Sequence, residues 1–370
     1  MLKLFAKRFS RYSLNDINNQ IRNVGVENDS IVTSKSGVLC YILTTSKSSP
    51  AYIFPQDVNV GFGYFRRVLN KGFFKGLVLY VALEVMKARL APVMVSIPSI
   101  ISDLSCKSAG VIYLLGTPGS TQSLVLFLDD GGGGEQVLVY KIPLSDRSNI
   151  SMLKELESFK RLPNVVRSNI LDTSFYINTV GEKIGSYCAM KMPFVKGGTV
   201  NITSNMLNAI VLEYAGVTFK KSYKKLISEM ANHFDRRELS DKDLLLFLDE
   251  VASRICLNEV VDVGVIHGDL SPWNILRGSD GKYVILDWED SIEGFPVFVD
   301  IIHYRFNQAV MIEGTKLEFN QLLEVSCFDF LCSYKAKSDC FLFYLLYRLA
   351  FEVERNSDFT NSIKGMVNNV

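Results

Sequence analysis

Residues 264–290 read GVIHGDLSPWNILRGSDGKYVILDWED, and they set the tightest limits on what the chain can fold into. His267, Asp269 and Asn274 stand in the spacing H-x-D-x-x-x-x-N, and the apolar run 283–286 then delivers a second acid, Asp287. Val265 and Ile266 lead in, Ile275 and Leu276 follow the asparagine, and 278–281 is a turn-forming Gly-Ser-Asp-Gly. The pattern predicts strand, loop, strand, turn, strand, with each acid at a strand end where it faces a cleft. A core histidine beside a capping carboxylate would explain the first half of the pattern, but it leaves Asp287 without a reason.

Phosphoryl transfer from ATP needs such a set. A carboxylate orients and deprotonates the attacking hydroxyl, and an oxygen-rich pair holds Mg²⁺ on the phosphates. Asp269 suits the first role, Asn274 and Asp287 the second, and His267 belongs to the same catalytic loop. At these residues the chain resembles the aminoglycoside-phosphotransferase and choline-kinase branch of the protein-kinase-like fold. HGDLSPWN stands where that group carries its catalytic loop, and LDWED where it carries the metal-binding Asp. Gly294, Pro296 and Asp300 resemble its G-x-P-x-x-D segment with one extra residue before the acid. The resemblance implies that Asp300 holds the catalytic-loop backbone rather than touching substrate. HGD with SPWN also resembles kinase-like proteins of bacterial surface-polysaccharide pathways. The resemblance is specific over residues 264–303.

Upstream, 111–115, 124–128 and 137–142 read as strands. A loop with Gly119 and Ser120 joins the first two, and the glycine turn 131–134 joins the last two. That arrangement lays backbone N–H groups and one ammonium, Lys141, over ATP phosphates, although the loop lacks a full G-x-G-x-x-G and also reads as a simple hairpin. An ammonium in an apolar strand needs a partner. The helix expected over 149–162, capped by Ser151 and stopped by Pro163, offers Glu155, with Glu157 in reserve. Strands follow at 175–179 and 187–193. The second ends in a hinge where the resemblance places the backbone of Met192 and Phe194 against adenine. A capping box at 240–243 opens a helix with Val251 and Ile255 on its apolar face, and 338–355 is a further apolar helix.

The expected architecture is α+β and two-lobed, protein-kinase-like. It has an antiparallel-sheet small lobe (106–195), a mainly helical large lobe (196–370), and an N-terminal α/β extension (1–105) whose role the sequence does not disclose. Strands at 37–44 and 51–54 and helical runs near 62–70 and 73–90 fall in that extension.

Hydrophobic content of 48% with 21% charged residues describes a folded chain. Seven cysteines without a C-x-x-C pair argue against structural zinc and for a reducing compartment. The apolar run 76–83 is short for a membrane span, and the basic start MLKLFAKRFSRY lacks a signal peptide's apolar core, so a cytoplasmic protein is expected. Residues 1–105 hold 13 Lys and Arg against 6 Asp and Glu. That basic leader suits an acidic membrane face or an anionic partner, or is a solvated surface. Nothing points to a nucleic-acid partner.

The function expected is ATP- and Mg²⁺-dependent transfer to a hydroxyl of a small molecule: a sugar, a polyol or an aminoglycoside-like compound. The stretch from Asp287 to Asp300 leaves little room for the activation loop that protein substrates call for. Two alternatives stand beside it. One is a choline or ethanolamine kinase: Glu289, Asp290 and Glu293 are acids that suit a polycationic aminoglycoside and equally a choline, which also needs an aromatic cage, with Trp273, Trp288, Phe295 and Tyr304 as its walls. The other is a catalytically silent, nucleotide-binding pseudokinase scaffold.

Overall fold

Along Ser123–Asp129 every second side chain is buried, with Leu124, Leu126 and Leu128 inward. That period-2 alternation is the mark of a strand with one face on a core. The computed structural model describes residues 35–43, 51–55, 80–81, 83–84, 93–98, 110–115, 123–129, 137–166, 170–184, 187–200, 202–216, 218–235, 249–313, 319–327 and 334–352. The chain divides into two units, Met1–Lys160 with Thr173–Gly198, and Arg161–Asp172 with Thr199–Val370.

The first unit is built on an antiparallel sheet of eight strands. In chain order these are β1 (Lys35–Leu43), β2 (Ala51–Pro55), β3 (Val93–Pro98), β4 (Gly110–Leu115), β5 (Ser123–Asp129), β6 (Val137–Pro143), β7 (Val180–Ile184) and β8 (Tyr187–Pro193). Their spatial order is β3-β1-β2-β4-β5-β6-β8-β7. The three N-terminal strands therefore extend the sheet that carries Lys141, joined to it through β2 and β4, where Ile53 pairs with Tyr113. Strand β3 falls just beyond the run read as helical. Of that run the structure describes four residues, 80, 81, 83 and 84, and these are helical.

Helix α1 (Asp146–Val165) starts earlier and ends later than its sequence signals suggest. The Ser148 N–H donates to Ser145 Oγ, while Ser148 Oγ accepts from the N–H groups of Leu144 and Ser145 at 2.8 Å. This reciprocal hydroxyl pair satisfies the first-turn N–H of Ser148 and ties down the chain just before the helix, so Ser151 lies within the helix rather than at its cap. Pro163 sits inside the last turn, and the helix closes two residues after it. Of residues 175–179, read as a strand, 175–177 instead fall on a short helix, α2 (Thr173–Ile177), and 178–179 follow it as a turn. Thr179 Oγ1 donates to the Phe175 carbonyl, and Phe175 and Tyr176 pack their rings on Phe159. Burial of two aromatics on a helix outweighs the β preference of the segment.

The second unit is mainly helical. Its helices are α3 (Ser204–Ala215), α4 (Tyr223–Asp235), α5 (Phe298–Asn307), α6 (Phe319–Cys327) and α7 (Tyr334–Glu352). Strands β9 (Phe219–Ser222), β10 (Val260–Ile266) and β13 (Ile292–Pro296) form one antiparallel sheet, and β11 (Ile275–Gly278) pairs with β12 (Tyr283–Ile285). The capping box at 240–243 lies outside the described residues, but 249–254 is helical, with Val251 and Ile255 in the core. Helix α7 is buried on every side from Phe341 to Tyr347, which makes it the centre of this unit's core. Among the described residues no helix is long and apolar enough to cross a membrane.

Candidate active site

Strand β10 runs into the loop 267–274, and the hairpin β11–β12 returns the chain to Asp287. Gly268 makes the corner at φ 87°, and a Cβ there would sit 2.3 Å from the Asp290 carbonyl oxygen. Both the left-handed backbone and the close approach require glycine. His267 is fully buried. Its Nδ1 accepts from the Asp269 N–H, which leaves Nε2 to donate to the Leu286 carbonyl at 2.7 Å. Both ring nitrogens are thus engaged, and the imidazole ties the loop to the strand end carrying Asp287. His267, grouped with the catalytic residues on sequence, has both ring nitrogens engaged by the backbone of its own loop and of Leu286.

Asp300, on the first turn of α5, is 0% exposed. Its Oδ2 accepts from the His267 N–H and the Tyr214 hydroxyl, each at 2.6 Å, and Oδ1 accepts from the Gly268 N–H at 2.9 Å. Burial pushes this carboxyl's pKa up, against the pull of His267 and of these hydrogen bonds. Three donors satisfied by one carboxylate hold the loop backbone in a single shape.

Asp269 is different. Its side chain keeps 37% of its exposure. Oδ1 accepts from His303 Nε2 at 2.9 Å and lies 3.6 Å from Arg348 Nη1, which donates to the Gly268 carbonyl at 3.0 Å. Burial alone would push the Asp269 carboxyl up; the His303 hydrogen bond and the Arg348 charge outweigh it and hold it well below the usual carboxylate range. Asn274 donates its amide N–H to the Asp269 carbonyl at 3.0 Å, which leaves Oδ1 of Asn274 as an acceptor. The Asn274 carbonyl in turn accepts from the Leu286 N–H, one residue before Asp287. Asp287 has φ 62° and ψ 56°, the one non-glycine residue at positive φ among those described. Such backbone strain in a non-glycine residue gathers at functional sites.

In the first unit, Lys141 Nζ donates to Glu155 Oε2 at 2.8 Å, with Glu155 buried. Glu157 is exposed on the same helix. Lys141→Ala removes the ammonium from the buried Glu155 carboxylate, and urea denaturation is expected to show a loss of about 2 kcal/mol, halved or better in the Lys141→Ala/Glu155→Gln double variant. Met192 pairs with Val139 at the end of β8, and Phe194 packs edge-on against Phe127 at 6.3 Å. Gly119 and Ser120 lie outside the described residues. Three of the four aromatics suggested as cage walls, Trp288, Phe295 and Tyr304, are core residues; Trp273 alone is exposed, at 47%.

Two residues of the site were not picked out from sequence: His303 on α5 and Arg348 on α7. His303 stands three residues after Asp300, on the same helical face, and Arg348 is a lone charge in the apolar run 340–351. Those are the signals that mark them.

Burial, and the neighbouring Arg348 charge, push the His303 imidazole down to about 4 from 6.5. A pKa lowered by folding means that the unfolded chain takes up the proton first. Stability is therefore full at about pH 6.5 and above, and falls by about 3 kcal/mol as pH drops toward 4. Denaturation midpoints at pH 7, 5.5 and 4.5 check this, and His303→Gln is expected to flatten the slope.

Residues 224–303 match the phosphotransferase enzyme family APH. The matched stretch runs from α4 to His303 and includes His267, Asp269, Asn274, Asp287 and Asp300. Solved structures similar to the chain include a thermostable mutant of aminoglycoside phosphotransferase APH(4)-Ia in ternary complex with ADP and hygromycin B. It is 12% identical, with 73% of this chain and 96% of that one covered, at a TM-score of 0.48. Spectinomycin phosphotransferase APH(9)-Ia, with ADP and spectinomycin, is 12% identical over 73% and 93%, with a TM-score of 0.40. ADP-bound APH(2'')-Ib is 14% identical over 73% and 96%, with a TM-score of 0.42. No curated protein matches the chain.

Proposed function

We propose that the chain is an ATP-dependent phosphotransferase that acts on a hydroxyl of a small molecule. The observation that carries this reading is Asp269: a carboxylate held ionised, tied at Oδ1 and open to solvent, within the stretch that matches the phosphotransferase family. Its Oδ2 takes the acceptor's O–H as a hydrogen bond and aims the oxygen at the γ-phosphorus. As the new O–P bond forms and the bond to the β-phosphate oxygen breaks, the proton moves to Asp269 and ADP leaves. A carboxylate so acidic is a weak base, so most of the rate enhancement comes from alignment and charge neutralisation.

Asn274 Oδ1 and the Asp287 carboxylate are the hard oxygen donors that suit Mg²⁺. Among the described residues no cluster of three or more His, Cys, Asp or Glu forms a self-sufficient metal site. That suits an ion held by one or two side chains and completed by substrate phosphates. When bound, the ion supplies charge neutralisation at the phosphates. Lys141, kept in place by Glu155, holds the α and β phosphates in this reading. The backbone at Met192 and Phe194 meets adenine, while Gly119 and Ser120, which the sequence assigns to the phosphates, lie outside the described residues. The acceptor class is a sugar, polyol or aminoglycoside-like compound. A choline cage is disfavoured, since three of its four suggested walls are buried.

The test is a melting-temperature series with ATP, with and without Mg²⁺, followed by transfer of γ-labelled phosphate to a panel of sugars, aminoglycosides and choline. Saturating Mg·ATP at 100 times its Kd is expected to stabilise the protein by about 2.7 kcal/mol. Magnesium-dependent stabilisation without transfer to any acceptor or to water would overturn the enzyme reading in favour of a scaffold.

A further inference from the structure

Asp269 meets a second layer of polar side chains that the phosphotransferase reading does not require. His303 Nε2 lies 2.9 Å from Asp269 Oδ1, and His303 Nδ1 lies 2.9 Å from the Tyr344 hydroxyl on α7. The Asn307 amide nitrogen Nδ2, one turn further along α5, donates to Ser271 Oγ, inside the catalytic loop, at 2.8 Å, and lies 2.9 Å from His303 Nε2. Immediately after Asn307 the helix changes to a π-helical turn, Gln308–Ile312. Such turns recur at functional sites, because the extra residue re-aims the side chains beside it.

The hydrogen bonds select one tautomer. A carboxylate can only accept, so the proton of the neutral imidazole sits on Nε2 and faces Asp269, while Nδ1 accepts from Tyr344. The bond consumes Oδ1. Arg348 approaches the same oxygen from α7. Oδ2 is the oxygen left without a hydrogen bond. A carboxylate free to rotate about χ2 offers either oxygen to an acceptor; one pinned at Oδ1 offers one oxygen in one direction.

We propose that His303 is a positioning residue for phosphoryl transfer: it fixes the rotamer of Asp269 so that Oδ2 alone addresses the acceptor hydroxyl. Tyr344 holds the imidazole in place through Nδ1; with Nε2 protonated, the Asn307 amide nitrogen beside it is a second donor and makes no hydrogen bond to the ring. Helix α5 carries His303 on the same face as Asp300. One helix thus sets both the backbone of the catalytic loop, through Asp300, and the side chain that works in it, through His303. This inference rests on the phosphotransferase reading of Asp269.

The test compares His303→Phe, which keeps the ring and loses the donor, with His303→Gln, whose amide N–H reaches toward the place of Nε2. The probe is Mg·ATP with water as acceptor, followed as phosphate release, and with the best acceptor of the panel where one is found. His303→Phe is expected to lower kcat roughly 10- to 100-fold with the KM for ATP changed less than about twofold, because a misplaced reacting group costs rate and not nucleotide binding. His303→Gln is expected to recover kcat to within about fivefold of the parent. Parent-like kcat in His303→Phe overturns the proposal. So does an equal loss in both variants accompanied by equal falls in melting temperature, which is the signature of a merely structural residue. An inactive parent, or an Asp269→Ala variant as active as the parent, overturns the phosphotransferase reading itself, and the inference with it.

Discussion

Replacing Asp269 by alanine is expected to leave a folded protein that binds Mg·ATP and transfers phosphate at least about 10³-fold more slowly. The loss combines two effects. The acceptor hydroxyl no longer has an oriented partner, and no group takes its proton as the O–P bond forms. Stability responds more mildly, since Asp269 is partly exposed and removing it takes one charge from beside Arg348, which keeps its bond to the Gly268 carbonyl. Initial rates at saturating ATP, with circular dichroism and a nucleotide-binding isotherm on the same preparation, check the three parts together. Asp269→Asn keeps an acceptor for His303 but loses the charge. It should fold as well as the parent and remain at least about 10²-fold slow. A variant within tenfold of the parent rate would remove Asp269 from the chemistry.

Asp300→Ala should be costlier to the fold than to any single chemical step. It takes the shared acceptor from the N–H groups of His267 and Gly268 and from the Tyr214 hydroxyl in a fully buried setting. Removing one partner from a buried, charged network costs about 4 kcal/mol, a large share of a domain's stability. Activity should vanish with it, because the loop loses its shape. Asp300→Asn offers one accepting oxygen, and its amide N–H then faces a donor, so it should recover only part of the loss. Tyr214→Phe removes one bond of three and should cost about 1 kcal/mol. Urea denaturation of the three variants ranks them, and a stability for Asp300→Ala within 1 kcal/mol of the parent would contradict this account of the loop.

The parts legible in sequence are those where local chemistry leaves one solution. A lysine in an apolar strand must find a carboxylate, and Glu155 faces it from the next helix. Acids at strand ends around a glycine corner must frame a loop, as they do at Asp269 and Asp287. What escaped reading depends on partners distant in the chain. The β character of Phe175–Tyr176 yields to their packing on Phe159, which local propensity does not see. Strand β3 pairs with β1 across more than fifty residues, and neither pattern announces the other. His303 and Arg348 carry signals only in hindsight, since nothing local says that either meets Asp269. Pro163 shows that a helix stop acts within a turn, not at a residue.

The distance of those supports along the chain has a consequence for how the protein is made. The loop 267–274 leaves the ribosome before any residue that shapes it from α5, and Arg348, the last to arrive, is separated from Gly268 by 80 positions. Synthesis runs at roughly 5–20 residues per second, so the loop waits for seconds with its future ligands still untranslated. Until α7 has been made and packed, a nascent chain has the residues of the loop but not their arrangement. The site is therefore among the last features of the molecule to form.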